Sequence, residues 1–156
     1  MTAPPDDPAA KGPLLGKILR SLRRLRRRRL VDVAAALGLK QRTYEHFEGG
    51  HGPLNVERIH QFAEVLDVDP YSILAAVEIG SSEFARRTAD NKFMTAFHLQ
   101  LQAFDARIGD RLALLDAYSL MDAFETMFAD LEARADQLQA LSLRRPPSTG
   151  DEPGSR

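Results

Sequence analysis

The strongest constraint on this chain lies between Leu30 and Gly50, where two short helical segments are forced together by a sharp turn. Val31 to Leu37 is alanine-rich and sets Val33, Ala34 and Leu37 on one helical face. Gly38 follows, where the backbone must reverse and only glycine reaches positive φ without steric cost. After Leu39-Lys40, a second helix is predicted over Gln41 to Phe47 and is ended by Gly49-Gly50. Tyr44 and Phe47 turn inward on it, while Gln41, Arg42, Thr43, Glu45 and His46 turn outward. The small Ala34 lets the second helix cross close to the first. Helices this short are not stable alone, so the remaining chain must hold them.

Ahead of this unit, Leu15, Ile18, Leu22 and Leu25 recur at helical spacing, so a helix is expected from Leu14. It carries seven arginines among residues 20–29: Arg20, Arg23, Arg24 and Arg26 to Arg29. The net charge of −1 hides an asymmetry. Residues 11–50 hold eleven Lys/Arg against three acids, and residues 51–141 hold seven against fifteen, so the two regions carry +8 and −8. A cationic front of this kind suits a polyanion, and a run of arginines that repel one another is best explained by phosphate nearby.

After the central unit, Asn55 is a plausible N-cap for a helix with Val56, Ile59, Phe62, Ala63 and Leu66 inward. Asp69-Pro70 opens another, packed through Tyr71, Ile73, Leu74 and Val77 and ended by Gly80.

These residues carry a resemblance. Leu15-Gly16, Ile18, Leu22-Arg23, Val33-Ala34, Leu37-Gly38-Leu39, Thr43-Tyr44, Phe47-Glu48 and Gly50 look like the Cro/phage-repressor (XRE-type) helix-turn-helix family, followed by Pro53, Ile59, Ala63, Leu66 and Leu74. The spacing agrees without a gap from Val33 to Gly50. The resemblance implies a five-helix DNA-binding domain over 14–80 whose third helix enters the major groove of double-stranded DNA. By position it implies base contacts from Gln41, Arg42 and His46, and backbone contacts from Lys40 and Thr43. The chemistry agrees: glutamine pairs with adenine, arginine with guanine, and histidine can donate to a guanine acceptor. Arg23, Arg27, Arg28 and Arg29 are the further backbone candidates. Ala34, Gly38, Tyr44, Phe47 and Glu48 are expected to hold the motif, with Glu48 at the position of the family's buried glutamate. In one respect the chain departs from the family. The second helix usually opens with a small hydroxyl residue and a phosphate-gripping glutamine, and here Arg29-Leu30 stand there.

The second half carries no family resemblance above noise. Ser81-Ser82-Glu83 is expected to cap a long helix with Phe93, Phe97, Leu101, Phe104 and Ile108 along one side. Gly109-Asp110 breaks it, and a second helix to about Leu141 repeats Leu114, Ala117, Met121, Phe124, Phe128, Leu131, Ala135 and Leu138 three and four apart, a heptad seam. The expectation is a two-helix, hairpin or coiled-coil-like oligomerisation region over 81–141. Phe93, Phe97, Leu101, Phe104, Met121, Phe124, Phe128 and Leu131 would pair it with a second copy. Residues 1–13, with four prolines, and 142–156 are expected to be a disordered arm and tail.

The fold class read from all this is all-α. The function is a sequence-specific transcriptional regulator of bacterial or phage type, a homodimer repressing from a two-fold operator. Two alternatives stand: an activator meeting RNA polymerase through its acidic region, or an antitoxin-like interaction adaptor with a divergent helix-turn-helix. Absence of cysteine removes thiol chemistry and thiolate zinc sites. His51 and His60 lack partners for a metal site, and no nucleophile–base pair or glycine-rich phosphate loop is present, so neither enzyme nor cofactor is expected. No apolar run approaches a membrane span or a signal peptide, and a cytoplasmic, nucleoid-associated protein is expected.

Overall fold

The computed structural model describes residues 8–144, without the side chains of Pro8, Ala9 and Arg144. All regular structure among these residues is helical: α1 Pro8–Leu25, α2 Leu30–Ala36, α3 Gln41–Glu48, α4 Val56–Leu66, α5 Pro70–Glu78, α6 Ser82–Arg87, α7 Phe93–Ile108 and α8 Ala117–Arg144, with a 3₁₀ turn at Gly109–Leu114 before α8. The chain divides into two compact units between Arg107 and Ile108.

In the first unit, the core is built from the apolar stripes of α1, α4 and α5 around the short α2 and α3. Ile18, Leu19, Leu22, Val33, Tyr44, Ile59, Phe62 and Ile73 are fully buried. Leu19 joins the expected stripe of α1, whereas Leu25 and Val56 are exposed. Residues at helix ends carry the caps the sequence suggests: Asn55 Oδ1 accepts from Arg58 N at 2.9 Å, and Ser81 Oγ accepts from Phe84 N at 3.3 Å.

Three expectations change. Helix α1 starts at Pro8, so part of the expected arm is folded, while residues 1–7 and 145–156 lie outside the described residues. The early start is held by Lys11, whose ammonium meets the Glu78 carboxylate at 3.0 Å, and by Gly12, whose backbone lies against Gly50. A Cβ on Gly12 would come within 2.6 Å of the Gly50 carbonyl oxygen, and one on Gly16 within 2.9 Å of the Glu48 carbonyl oxygen. Only bare backbone lets α1 approach the end of α3 this closely.

Second, the long helix expected from Glu83 is two helices. α6 ends at Arg87 and is closed by Thr88, whose hydroxyl donates to the Phe84 carbonyl, and the chain turns through Lys92 at φ +53° before α7 begins. Third, the first unit runs past the boundary expected at residue 80. Helix α6 lies on α1 and α5, with Ala85 and Ala89 in the common core. Phe93, expected at a dimer interface, instead meets Phe84 edge-on with ring centroids 6.0 Å apart.

Asp69 explains why α7 stays with this unit. It is 1% exposed, and its carboxylate accepts at two helix starts at once. From α5 it takes Tyr71 N, Ser72 N and Ser72 Oγ at 3.1, 3.3 and 2.7 Å. From α7 it takes Met94 N, Thr95 N and Thr95 Oγ1 at 2.8, 3.1 and 2.8 Å. Burial works against the charge, yet the bonds from Ser72 and Thr95 prevail and hold the carboxyl below its usual range.

The second unit is simpler. Asp116 caps α8, accepting from Ser119 N at 2.9 Å and from its hydroxyl at 3.1 Å. Along this 28-residue helix, Met121, Phe124, Phe128, Leu131 and Leu138 are all exposed.

Candidate nucleic-acid interface

Helix α2 ends in the hydrogen-bond pattern that glycine permits. Gly38 sits at φ +65°, its N–H bonds the Ala35 carbonyl, and Leu39 N–H reaches back to the Ala34 carbonyl at 2.9 Å. A Cβ on Gly38 would touch nothing, so its requirement is conformational alone. The resulting turn delivers α3 with one face sealed and the other free.

On the sealed face Tyr44 is fully buried. Phe47 packs between it and Phe62, with centroids 6.2 and 6.1 Å away. Glu48, also buried, is gripped by α1: Arg23 Nε donates to its carboxylate at 2.7 Å and Arg20 Nη1 to its backbone carbonyl at 3.1 Å. The Tyr44 hydroxyl is buried without an aligned partner among the described residues. Burial first, then the nearby Glu48 charge, push its pKa up, while Arg23 opposes them.

On the free face, Gln41, Arg42, Thr43, Glu45 and His46 are all exposed. Arg42, Thr43, Glu45 and His46 line one depression together with His51, whose ring lies 5.2 Å from that of His46. Gln41 Nε2 donates to Glu45 Oε1 at 2.7 Å, which restrains the amide while leaving its oxygen and second proton available. Glu45 and His51 had no role in the sequence reading. The i,i+4 spacing of Gln41 and Glu45 was the signal for the first. For His51 there was none, because its position depends on the turn through Gly49-Gly50.

The arginine run separates into different jobs. Arg20, Arg23 and Arg26 recur every third residue and serve the interior. Arg26 donates to the carbonyls of Leu66 and Asp67 at 2.8 and 2.7 Å and to Asp90 at 2.6 Å. The expectation that these arginines merely repel one another is therefore corrected: the carboxylates of buried Glu48 and exposed Asp90 neutralise part of the run, and backbone carbonyls take up further donors. Arg23, expected on the DNA backbone, has a side chain only 15% exposed and turned to Glu48. Arg29, at the N-cap of α2, makes no capping bond. Its fork closes on Asp32, with both bonds at 2.9 Å, and that hydrogen bond raises the arginine's pKa and lowers the carboxyl's. Arg24, Arg27 and Arg28 are exposed and make no side-chain hydrogen bond or ion pair among the described residues, and Lys40 is exposed at the N-cap of α3.

Arg27 is peculiar in its backbone. It closes α1 in the same pattern as Gly38 closes α2: Arg27 N–H bonds the Arg24 carbonyl and Arg28 N–H the Arg23 carbonyl. Yet it adopts φ +52° as a non-glycine residue.

Comparison with known proteins agrees with this geometry. Residues 14–72 match a family model described as a helix-turn-helix domain. Over these residues the chain is similar to a helix-turn-helix domain, a likeness that suggests a DNA-binding regulator. Searches of curated proteins and of solved structures return no match to the chain. The match stops short of α6 to α8, and no helix among the described residues is long and apolar enough to cross a membrane.

Proposed function

We propose that the protein is a sequence-specific transcriptional regulator that binds a two-fold operator as a homodimer and represses by occupying it. The observation that carries the reading is the division of α3. Tyr44 and Glu48 are sealed into the core, and Gln41, Arg42, Thr43, Glu45 and His46 form one continuous exposed polar row. In this reading α3 lies in the major groove, with Gln41, Arg42 and His46 toward base edges and Lys40 and Thr43 toward phosphates. Arg27 and Arg28 supply further phosphate contacts, and Arg29 joins them by exchanging Asp32 for a phosphate. Arg23 leaves the set, because moving it would strand the buried Glu48 carboxylate.

The homodimer is supported by apolar surface that each unit presents. Beyond the residues that hold its start, Phe97 to Phe104 is a stretch of eight residues without Asp, Glu, Lys or Arg, on a helix with no buried residue, and Leu101 is 49% exposed. On α8 the seam of Met121, Phe124, Phe128 and Leu131 stays between 41% and 47% exposed. Such faces favour a partner helix over water. Two linked copies also add avidity that a single eight-residue recognition helix lacks. A regulator of this kind works in the cytoplasm, on the nucleoid.

Selection of binding sites from random duplex DNA by the full-length protein tests the reading. The expected product is a pair of inverted half-sites. Gln41→Ala with Arg42→Ala should abolish the sequence preference while leaving salt-sensitive, non-specific binding. Unselected DNA with the unaltered protein, or selection unchanged in the double variant, would overturn it.

A further inference from the structure

Helix α7 lies beyond the matched domain, yet it is joined to that domain more firmly than a linker would be. The Asp69 carboxylate closes the starts of α5 and α7 simultaneously, with six donors around one buried group. A second tie lies one turn along: the His98 ring stacks on Tyr71 of α5 at 4.3 Å and 17°, and His60 of α4 meets the same tyrosine edge-on at 5.2 Å. The third is a knot at the turn before α7. Lys92 pairs with Asp67 at 2.9 Å, and Arg26 holds both Asp67 and Asp90. Phe93 against Phe84 completes the joint. Of these contacts only the Asp69 bonds close on a buried group; the others lie on partly or fully exposed side chains, so the carboxylate, with Thr95 as its one side-chain donor from α7, is what fixes the base of that helix.

We infer that Asp69 and Thr95 form a rigid coupling that fixes α7, and the partner-seeking apolar face it carries, relative to the recognition helix, and so sets the half-site spacing that the dimer accepts. The inference rests on the homodimer reading above. The logic is geometric. Each added base pair moves a half-site about 3.4 Å along the DNA and rotates it by about a tenth of a turn. A dimer whose arms are fixed pays for that displacement in lost contacts, whereas one with loosened arms follows it. Asp69 and Thr95 are thus positioning residues, remote from DNA.

The variant to use is Thr95→Ala. It removes the Thr95 hydroxyl bond to Asp69 and leaves the α5 cap intact, so the domain keeps its fold where an Asp69 substitution could lose it. Ser81→Ala, which removes the cap of α6 and none of the ties to α7, is the control. With the operator obtained by selection, full-length proteins are titrated against duplexes whose half-site spacing is native, one base pair shorter or one longer, and against a single half-site. A one-base-pair change should weaken the unaltered protein and Ser81→Ala about tenfold, and Thr95→Ala less than about threefold, since a freed arm recovers most of the second site's avidity. Affinity for the single half-site should be equal in all three, a result that general loss of structure in the domain would not give. A Thr95→Ala protein that keeps the tenfold penalty overturns the coupling while leaving the dimer reading intact. Selection of unpaired half-sites by the unaltered protein overturns both.

Discussion

Arg27→Gly separates fold from function because the two should move in opposite directions. Arg27 holds φ +52° at the end of α1, a conformation costing an L-residue roughly 1–2 kcal/mol. Glycine escapes that cost but makes the unfolded chain more flexible, which returns roughly 0.4–1 kcal/mol. The net expectation is a gain of about 0.5 kcal/mol, or about 2–4 °C in melting temperature for a unit of this size. The guanidinium makes no side-chain bond among the described residues, so its removal loses no native interaction. On DNA the sign reverses. Losing one phosphate contact per protomer lowers the slope of log K against log salt by about 0.9, so the affinity gained between 200 and 50 mM salt shrinks about 3.5-fold per protomer. The assay pairs thermal unfolding by circular dichroism with fluorescence anisotropy on a random-sequence duplex over that salt range, where phosphate contacts act without an operator. Arg27→Ala provides the control: it should lower the slope equally without raising the melting temperature. A glycine variant that melts earlier would refute the strain argument. One that melts later with an unchanged slope would remove Arg27 from the phosphate contacts.

Other substitutions bear on the frame. Glu48→Ala leaves the Arg23 guanidinium, on a side chain only 15% exposed, with the Arg28 carbonyl but without its carboxylate, and should cost about 3 kcal/mol in urea unfolding. Gly16→Ala drives a methyl group to 2.9 Å from the Glu48 carbonyl oxygen and should destabilise by about 1–3 kcal/mol, seen in the same melts. Asp69 predicts acid sensitivity. Its folded pKa lies below the unfolded value of about 3.9, so its contribution is fully present above that value and is lost as pH falls through the folded pKa. Urea midpoints measured from pH 6 to pH 2.5 should therefore fall less steeply in Thr95→Ala, which lacks part of the cause. Glu45→Ala frees the Gln41 amide and should weaken preference at one base position while leaving the melting temperature within about 1 °C, as a surface change does.

The central unit was legible because its signals are local. Gly38 needs positive φ, Tyr44 and Glu48 fall on the inner face of an eight-residue helix, and Asn55 and Asp69 precede helices they cap. Where the reading stopped short, the deciding partner lay far along the chain. Arg23 finds Glu48 after 25 residues and Arg26 finds Asp90 after 64, so a run of like charges looked unpaired. Their three-residue spacing beside Leu19 and Leu22 was the available hint. Asp69 was recognised as a cap for α5, but its second clients, Met94 and Thr95, sit on a helix whose start fell inside the single long helix expected after Ser81-Ser82-Glu83. Phe93 was assigned to a partner chain because periodicity reports that a face is apolar, and says nothing about which surface covers it.

The doubly used carboxylate of Asp69 also bears on modularity. The helix-turn-helix match ends at residue 72, and a chain stopped at Gly80 would contain every residue the family motif asks for. It would still be an incomplete object. Half of the donors around a buried anion would be gone, and α1 and α5 would lose the cover of Ala85 and Ala89. The smallest piece that keeps every donor around Asp69 therefore reaches past Thr95, and the helix-turn-helix and the start of α7 are structurally one part.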